Sequence, residues 1–170
     1  VKQAAIDAIN NGYTKYTNIE GIPELRQSIV EKFKKDNDLN YDISNVIVGT
    51  GGKQILFNAL MSSLNKDDEV IIPAPYWVSY PDMTLLAGGK PIFVDCSSET
   101  NFKLTGKALD KVITKKSKWL ILNSPSNPTG SCYSLSELEE IANVVRKHEN
   151  LYVMTDDIYE YIVYDNFKFY

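Results

Sequence analysis

The sequence has no apolar run that approaches the roughly 20 residues a membrane-spanning helix needs. It is also poor in cysteine: Cys96 and Cys132 stand in no metal-binding or redox spacing, and two thiols are too few for a disulfide scaffold. We therefore expect a protein of a reducing cytoplasm rather than one of the membrane or the disulfide-rich secreted classes.

An excess of positive charge is absent as well, since 18 basic and 22 acidic side chains give a net charge of -4. The densest basic stretch, 111–118, holds four lysines and is typical of the solvated end of a helix. Without a basic stripe, neither a nucleic acid nor an anionic membrane is an expected partner. The chain opens at Val1 without a Met or a signal-peptide pattern and ends at Tyr170 within an aromatic stretch, so we expect a piece of a longer protein.

The composition that remains is that of a globular protein. Of its 170 residues, 44% are hydrophobic and 24% are charged, a balance that argues against disorder. A chain of this length suggests one domain and can bury about 70% of its unfolded surface.

Short apolar runs rich in β-branched residues alternate along the chain with segments of helical spacing. The runs are apolar on both faces, which is typical of strands in a buried parallel sheet. We therefore predict an α/β fold, a three-layer sandwich whose mostly parallel sheet is covered by helices on both sides. The predicted strands are 46–48, 70–72, 90–96, 119–122 and 151–155, and the predicted helices are 1–10, 23–36, 52–64, 77–87, 105–114 and 135–149.

In such a sheet a ligand binds beyond the carboxyl ends of the strands, so the residues that follow each predicted strand are the candidates for a site. Residues 49–54 are rich in glycine and open a helix, whose N–H groups and positive end would suit a phosphate. A plain turn is the alternative, and the spacing matches neither the P-loop nor the dinucleotide-binding motif. Trp77 offers a ring that could stack on a flat ligand or simply cover the core.

Two further predicted strands, 119–122 and 151–155, are also followed by polar groups. Asn127, held extended by Pro128, presents an amide to a ligand or belongs to a generic turn. Asp156 places a carboxylate among apolar neighbours, which is unfavourable unless it is paired; capping a helical turn is its alternative role. Tyr159 adds a phenol that by itself would be assigned to the core. Together these groups suit pyridoxal phosphate, a flat phosphorylated ring with a basic nitrogen and a phenolic oxygen.

Four sequence motifs occur in the order found in class I aminotransferases, the fold-type-I pyridoxal phosphate enzymes. They are Tyr16 followed by Gly-Ile-Pro-Glu-Leu-Arg at 21–26, Gly-Gly-Lys-Gln at 51–54, Asn-Pro-Thr-Gly at 127–130 and Asp-Asp-Ile-Tyr at 156–159, with Trp77 between the second and the third. Over essentially its whole length the chain resembles this family, and most of all its bacterial aspartate aminotransferase branch, some members of which also act on prephenate.

The resemblance implies a role for the residues of the second motif and for Trp77. Backbone N–H groups of Gly51, Gly52 and Lys53 would bind the phosphate of pyridoxal phosphate. Trp77 would stack on the cofactor ring and lie near the substrate carboxylate, which Asn127 would help to hold.

The remaining motif residues would bind the cofactor's polar atoms. Asn127 and Tyr159 would hydrogen-bond the phenolic oxygen, and Asp156 would pair with the protonated pyridine nitrogen, which makes the ring an electron sink. Tyr16 would reach the phosphate bound by a partner subunit, so the implied parent enzyme is a homodimer. The implied reaction transfers an amino group from an amino acid, with aspartate expected, to a 2-oxo acid.

The family's Schiff-base lysine is expected downstream of the last motif, beyond Tyr170, together with the arginine that binds the substrate's α-carboxylate. No catalytic residue is therefore expected within the chain, and we expect the segment alone to be inactive. The resemblance divides it into 1–40, which would hold N-terminal helices and a loop, and 41–170, which would be part of the cofactor-binding large domain.

Other functions stay open at this point. A pyridoxal phosphate lyase of the same fold would carry similar motifs, and residues of the substrate pocket would distinguish it. The segment could also be a non-catalytic cofactor-binding or interaction module. A dehydrogenase is disfavoured because the glycine spacing does not match a dinucleotide-binding turn.

Overall fold

The computed structural model describes residues 1–170, and the chain forms two compact units, Val1–Gly51 and Gly52–Tyr170. The first unit is mainly helical. It contains helix α1 (Lys2–Asn10), helix α2 (Pro23–Asn37) and a 3-10 turn, Ile43–Asn45. The proline at the start of α2 fits there because the first helical N–H has no partner within a helix.

One arginine of α2 and one glycine fix the loops of the first unit. The Arg26 guanidinium donates to the backbone carbonyls of Val46 at 3.0 Å and Ile43 at 2.6 Å. Gly21 has a φ of +104°, and a Cβ at this position would lie 2.9 Å from the Cβ of Val48. Only a residue without a side chain fits this turn, because both its backbone conformation and its close approach to Val48 exclude a Cβ.

The predicted strand at 46–48 is not present. These residues are extended, with Val46 buried, but they form no ladder. The backbone hydrogen bond of this run to the preceding loop goes from the Val48 N–H to the Glu20 carbonyl, at 2.9 Å. An apolar run becomes a strand only where a neighbouring strand lies alongside it, and no such neighbour exists here.

The second unit alternates strands and helices, as the sequence predicts, with ends that differ from the predicted ones by a few residues. Its elements are α3 (Gly52–Ser63), β1 (Glu69–Ala74), α4 (Ser79–Leu86), β2 (Lys90–Asp95), α5 (Gly106–Val112), β3 (Ser117–Asn123), α6 (Leu135–Val145) and β4 (Tyr152–Asp156), with a 3-10 turn at Ser98–Thr100.

The four strands form one fully parallel sheet in the order β2-β1-β3-β4. All four therefore point their carboxyl ends to the same edge. In the register of β3 and β4, Asn123 is paired with Asp156 and Leu122 with Thr155.

Successive strand residues face opposite sides of the sheet and build two separate cores, which confirms the α/β layered fold. Ile71 and Leu120 pack with α5 and α6 on one side. Val70, Ile72 and Ile121 pack with α3 and α4 on the other. Burial of each of these side chains stabilises the fold by about 1.5–3 kcal/mol, so the sheet is a firm base for the loops at its carboxyl edge.

No helix has the length and hydropathy required to cross a bilayer.

Candidate functional site

The carboxyl ends of β3 and β4 bring two polar residues side by side. Asn123 is the last residue of β3, Asp156 is the last residue of β4, and the two are paired in the sheet. The carboxylate of Asp156 is half-buried at this edge. One of its oxygens, Oδ2, accepts a hydrogen bond from the hydroxyl of Tyr80 at 2.7 Å, and Oδ1 has no donor within the chain. Asp156 therefore presents one fixed and one available acceptor.

Tyr80 lies in the first turn of α4 and is only 2% exposed. Burial, together with the hydrogen bond to Asp156 and the negative charge of that carboxylate, raises the pKa of Tyr80 well above its usual range. The phenol therefore keeps its proton and acts as a donor to Asp156.

The side chain of Asn123 joins the ends of two loops. Its Nδ2 donates to the backbone carbonyl of Asp156 at 2.6 Å. Its Oδ1 accepts from the backbone N–H of Asn127 at 2.7 Å. One amide thus fixes Asn127 relative to Asp156, and both are residues that the sequence assigns to the site.

The loop that carries Asn127 closes on itself. The Gly130 N–H donates to the Ser126 carbonyl at 2.8 Å, and the Ser126 N–H donates to the Ser131 carbonyl at 3.0 Å. Gly130 has a φ of +72°, which glycine adopts at low cost. The side-chain amide of Asn127 has no partner within the chain and lines a cleft of about 780 Å³, which Tyr159 also lines. Asn127 and Tyr159 therefore lie on the same cleft.

An aromatic ring and a lysine lie beside the Tyr80–Asp156 pair. The half-buried ring of Trp77 meets the ring of Tyr80 edge-on, with 5.4 Å between centroids. The amine of Lys53, in the first turn of α3, lies 4.9 Å from the Trp77 centroid. This cation–π contact connects the start of α3 with the Asp156 carboxylate through two rings.

The start of α3 has the features that an anion requires. Gly51, with a φ of +88°, is the last residue of the first unit, and Gly52 is the first residue of α3. A Cβ at either glycine would meet no atom within 4 Å, and the first turn contains no acidic residue. An open helix N-terminus with a lysine attracts a phosphate through its N–H groups and its partial positive charge.

The structure therefore connects Lys53, Trp77, Asp156 and Asn127 through an unbroken series of contacts, with Tyr159 on the same cleft as Asn127. Tyr16 belongs to the first unit, and its ring is fully exposed, at 107% of the reference area. That it contacts a partner subunit stays a prediction.

Two residues of this series, Tyr80 and Asn123, are not among the sites predicted from the sequence. A signal for Tyr80 existed: it stands three residues after Trp77, and residues at this spacing lie on one face of a helical turn. Asn123 immediately follows the apolar part of β3, four residues before Asn127, but its role as a bridge depends on the pairing of β3 with β4.

Neither cysteine is a reactive group of the site: Cys96 lies in the core, and Cys132 lines the cleft that Asn127 and Tyr159 also line. Burial raises the pKa of both Cys96 and Cys132, so neither is an activated thiolate. The chain contains no group of three or more side chains that could hold a metal ion.

Comparison with known proteins identifies the family of this chain. The family model described as "Aminotransferase class I and II" matches residues 1–170. The chain belongs to this aminotransferase family. A relative from Rickettsia bellii, named "Probable aspartate/prephenate aminotransferase", is 63% identical over 170 residues.

Solved structures of the family agree with the fold. An aspartate aminotransferase from Rhizobium meliloti superposes with a TM-score of 0.97 at 48% identity, and 99% of this chain and 42% of that one are covered. The aspartate aminotransferase from Thermus thermophilus with maleate has a TM-score of 0.95 at 41% identity, with 99% of this chain and 44% of that one covered.

The chain spans less than half the length of the aminotransferases that it matches. All of it is covered in the comparison with the Rickettsia bellii relative, but only 43% of that relative is covered. The family match and the structural superposition establish the family and the fold of residues 1–170.

Proposed function

We propose that this chain is the central part of a pyridoxal phosphate-dependent aminotransferase of the aspartate/prephenate kind. The complete protein would transfer an amino group from aspartate or a related amino acid to a 2-oxo acid. The names of the relatives, which are aminotransferases, favour this reaction over that of a lyase of the same fold. Maleate in the name of the Thermus thermophilus structure supports a dicarboxylic substrate.

The observation that carries the proposal is the half-satisfied carboxylate of Asp156. Its Oδ2 is fixed by Tyr80 and its Oδ1 is left without a donor. A carboxylate at the end of a strand, with one available oxygen, is suited to bind the N–H of a cationic heteroaromatic ring. Pyridoxal phosphate, when bound, supplies a ring that withdraws electrons from the substrate's Cα, most effectively while its nitrogen is protonated.

The other residues of the site fit the remaining groups of this cofactor. Trp77 offers a flat face to the ring, and the amide of Asn127 and the phenol of Tyr159 offer hydrogen bonds to a phenolic oxygen and to a substrate carboxylate. The backbone N–H groups of Gly51 to Lys53 suit a phosphate. Asp156 would keep a proton on the ring nitrogen, because an adjacent negative charge favours the charged form of a base.

We also propose that the complete enzyme is a cytoplasmic homodimer in which Tyr16 contacts the phosphate bound by the partner subunit. The full exposure of the Tyr16 ring is consistent with such a contact. Its test is the mass of the full-length protein by light scattering: a dimer is expected, and an active monomer would contradict the proposal.

The decisive experiment compares two aspartates in the full-length protein. Asp156 ends β4, and Asp95 ends β2 at the same edge of the sheet, where it is exposed. Asp156→Ala is expected to lower kcat about 100- to 1,000-fold, as the loss of one preorganised electrostatic partner does. Asp95→Ala, the matched control, is expected to keep normal turnover. Near-normal activity of Asp156→Ala with aspartate and 2-oxoglutarate would refute the assignment.

A further inference from the structure

The contact between Tyr80 and Asp156 joins residues that are 76 positions apart in the chain. It links the first turn of α4 to the end of β4. The oxygen–oxygen distance of 2.7 Å is that of a good O–H···O hydrogen bond. A buried phenol can donate its hydrogen bond to many kinds of acceptor, and the phenol of Tyr80 donates to the carboxylate of the proposed site.

The Tyr80 ring is held in place by packing, since the residue is 2% exposed and belongs to the core on the α3 and α4 side of the sheet. Trp77 packs edge-on against it, at 5.4 Å and 86°. The backbone of its own turn is tied by the hydroxyl of Thr84, which donates to the Tyr80 carbonyl at 2.9 Å. Packing in the core therefore fixes the ring, whereas the Asp156 carboxylate lies at the half-buried edge of the sheet.

We infer that Tyr80 is a positioning residue that orients the Asp156 carboxylate and leaves Oδ1 as the acceptor for a ring N–H. The inference rests on the proposed function, in which Asp156 binds the nitrogen of the cofactor ring. Tyr80 acts through Asp156, since its hydroxyl is already hydrogen-bonded to Oδ2 and its ring packs against Trp77.

A matched control for Tyr80 exists in the other core of the sheet. Tyr133 is 5% exposed, close to the 2% of Tyr80, and its hydroxyl also makes one hydrogen bond, accepting from the Leu104 N–H at 2.8 Å. Tyr133→Phe therefore removes one buried phenol oxygen without touching Asp156. A difference between Tyr80→Phe and Tyr133→Phe measures what the Asp156 contact adds.

The experiment uses the full-length protein and its Tyr80→Phe, Tyr133→Phe and Asp156→Asn variants. Three quantities are measured: the affinity of the cofactor-free protein for pyridoxal phosphate, its affinity for inorganic phosphate, and the visible absorbance of the bound cofactor. We expect Tyr80→Phe to weaken pyridoxal phosphate binding about three- to tenfold, because the released carboxylate must be ordered when the cofactor binds. It should shift the absorbance in the same direction as Asp156→Asn and leave phosphate affinity unchanged, because phosphate would bind at α3.

Each other outcome has a definite meaning. If Asp156→Asn changes cofactor affinity and absorbance but Tyr80→Phe does not, the inference is overturned and the proposed function stands. If Asp156→Asn also changes nothing, the proposed function itself fails. If Tyr80→Phe and Tyr133→Phe weaken phosphate and cofactor binding alike, Tyr80 is merely structural and the inference is overturned.

Incorporation of a fluorinated tyrosine at position 80 tests the same inference if Tyr80→Phe does not fold. The ring and its packing are retained, while the more acidic phenol is a stronger donor to Asp156. Because a stronger donor to Oδ2 draws negative charge away from Oδ1, the absorbance of the bound cofactor should then shift in the same direction as in Asp156→Asn, by a smaller amount. An unchanged absorbance would overturn the inference.

Discussion

The two hydrogen bonds by which the Asn123 side chain joins Asp156 to Asn127 allow an estimate of the free energy of unfolding that their removal costs. Asn123→Ala deletes the donor to the Asp156 carbonyl, at 2.6 Å, and the acceptor from the Asn127 N–H, at 2.7 Å. Each backbone group that loses its partner costs about 1–3 kcal/mol when it is buried. Asn123, Asp156 and Asn127 are all half-buried, so water replaces part of the loss and we expect about 2–3 kcal/mol in total.

This loss is measurable by thermal or urea unfolding of the cofactor-free protein. A change of 1 kcal/mol shifts the Tm of a domain of 150–250 residues by about 2–4 °C, so Asn123→Ala should lower Tm by about 4–12 °C. Affinity for pyridoxal phosphate should fall as well, because two proposed cofactor residues, Asn127 and Asp156, lose their common support. Asn143→Ala is the control: its side chain is exposed and accepts one hydrogen bond, from Arg146 at 3.0 Å, and its effect should stay within about 0.5 kcal/mol.

Asn123→Asp separates the two hydrogen bonds. The new carboxylate still accepts from the Asn127 N–H but faces the Asp156 carbonyl without a donor, so its ionised form is disfavoured in the folded state. Its folded-state pKa is then raised, and the bridge is restored below the unfolded pKa and lost as pH rises through the folded one. Relative to Asn123→Ala, the variant should gain stability on acidification. The reasoning is refuted if Asn123→Ala is no less stable than Asn143→Ala, or if Asn123→Asp shows no such gain.

Three further predictions concern other parts of the chain. Gly21→Ala should destabilise the protein by about 1–3 kcal/mol, measured by urea unfolding, because a Cβ would lie 2.9 Å from that of Val48 in a backbone with positive φ. Burial acts to raise the pKa of Glu137, but hydrogen bonds from Lys103 and the capping serine outweigh it and lower that pKa. The ionised Glu137 therefore stabilises the fold above its ordinary pKa of 4.5, and this stabilisation is lost as pH falls through the lowered pKa. Lys103→Met should accordingly reduce the loss of stability on acidification. The 170-residue segment alone should show no transamination above the background of free pyridoxal phosphate. The two lysine amines near the site are already engaged, since Lys53 lies over the Trp77 ring and Lys103 is paired with Glu137. Turnover at enzyme level would contradict this prediction.

The sequence by itself determines the layered α/β arrangement of the second unit. The runs that became the central strands β1 and β3 are short and apolar on both faces, because helices cover both sides of the sheet there. Capping residues define the helix starts in the same local way: Ser134 with Glu137 forms a capping box at the start of α6. The ordered motifs also identify the family, and the family match over residues 1–170 confirms that identification.

Tertiary structure alone decided which apolar runs became strands and which polar groups met. The run 46–48 has the composition of a strand but no neighbour to pair with, and pairing is a property of the fold rather than of the run. The order β2-β1-β3-β4 places Asn123 beside Asp156, and the packing of α4 against the sheet brings Tyr80 to the same carboxylate. Sequence periodicity specifies the face that a residue occupies, but a hydrogen bond across 76 residues depends on the positions of two elements that only the packed core fixes.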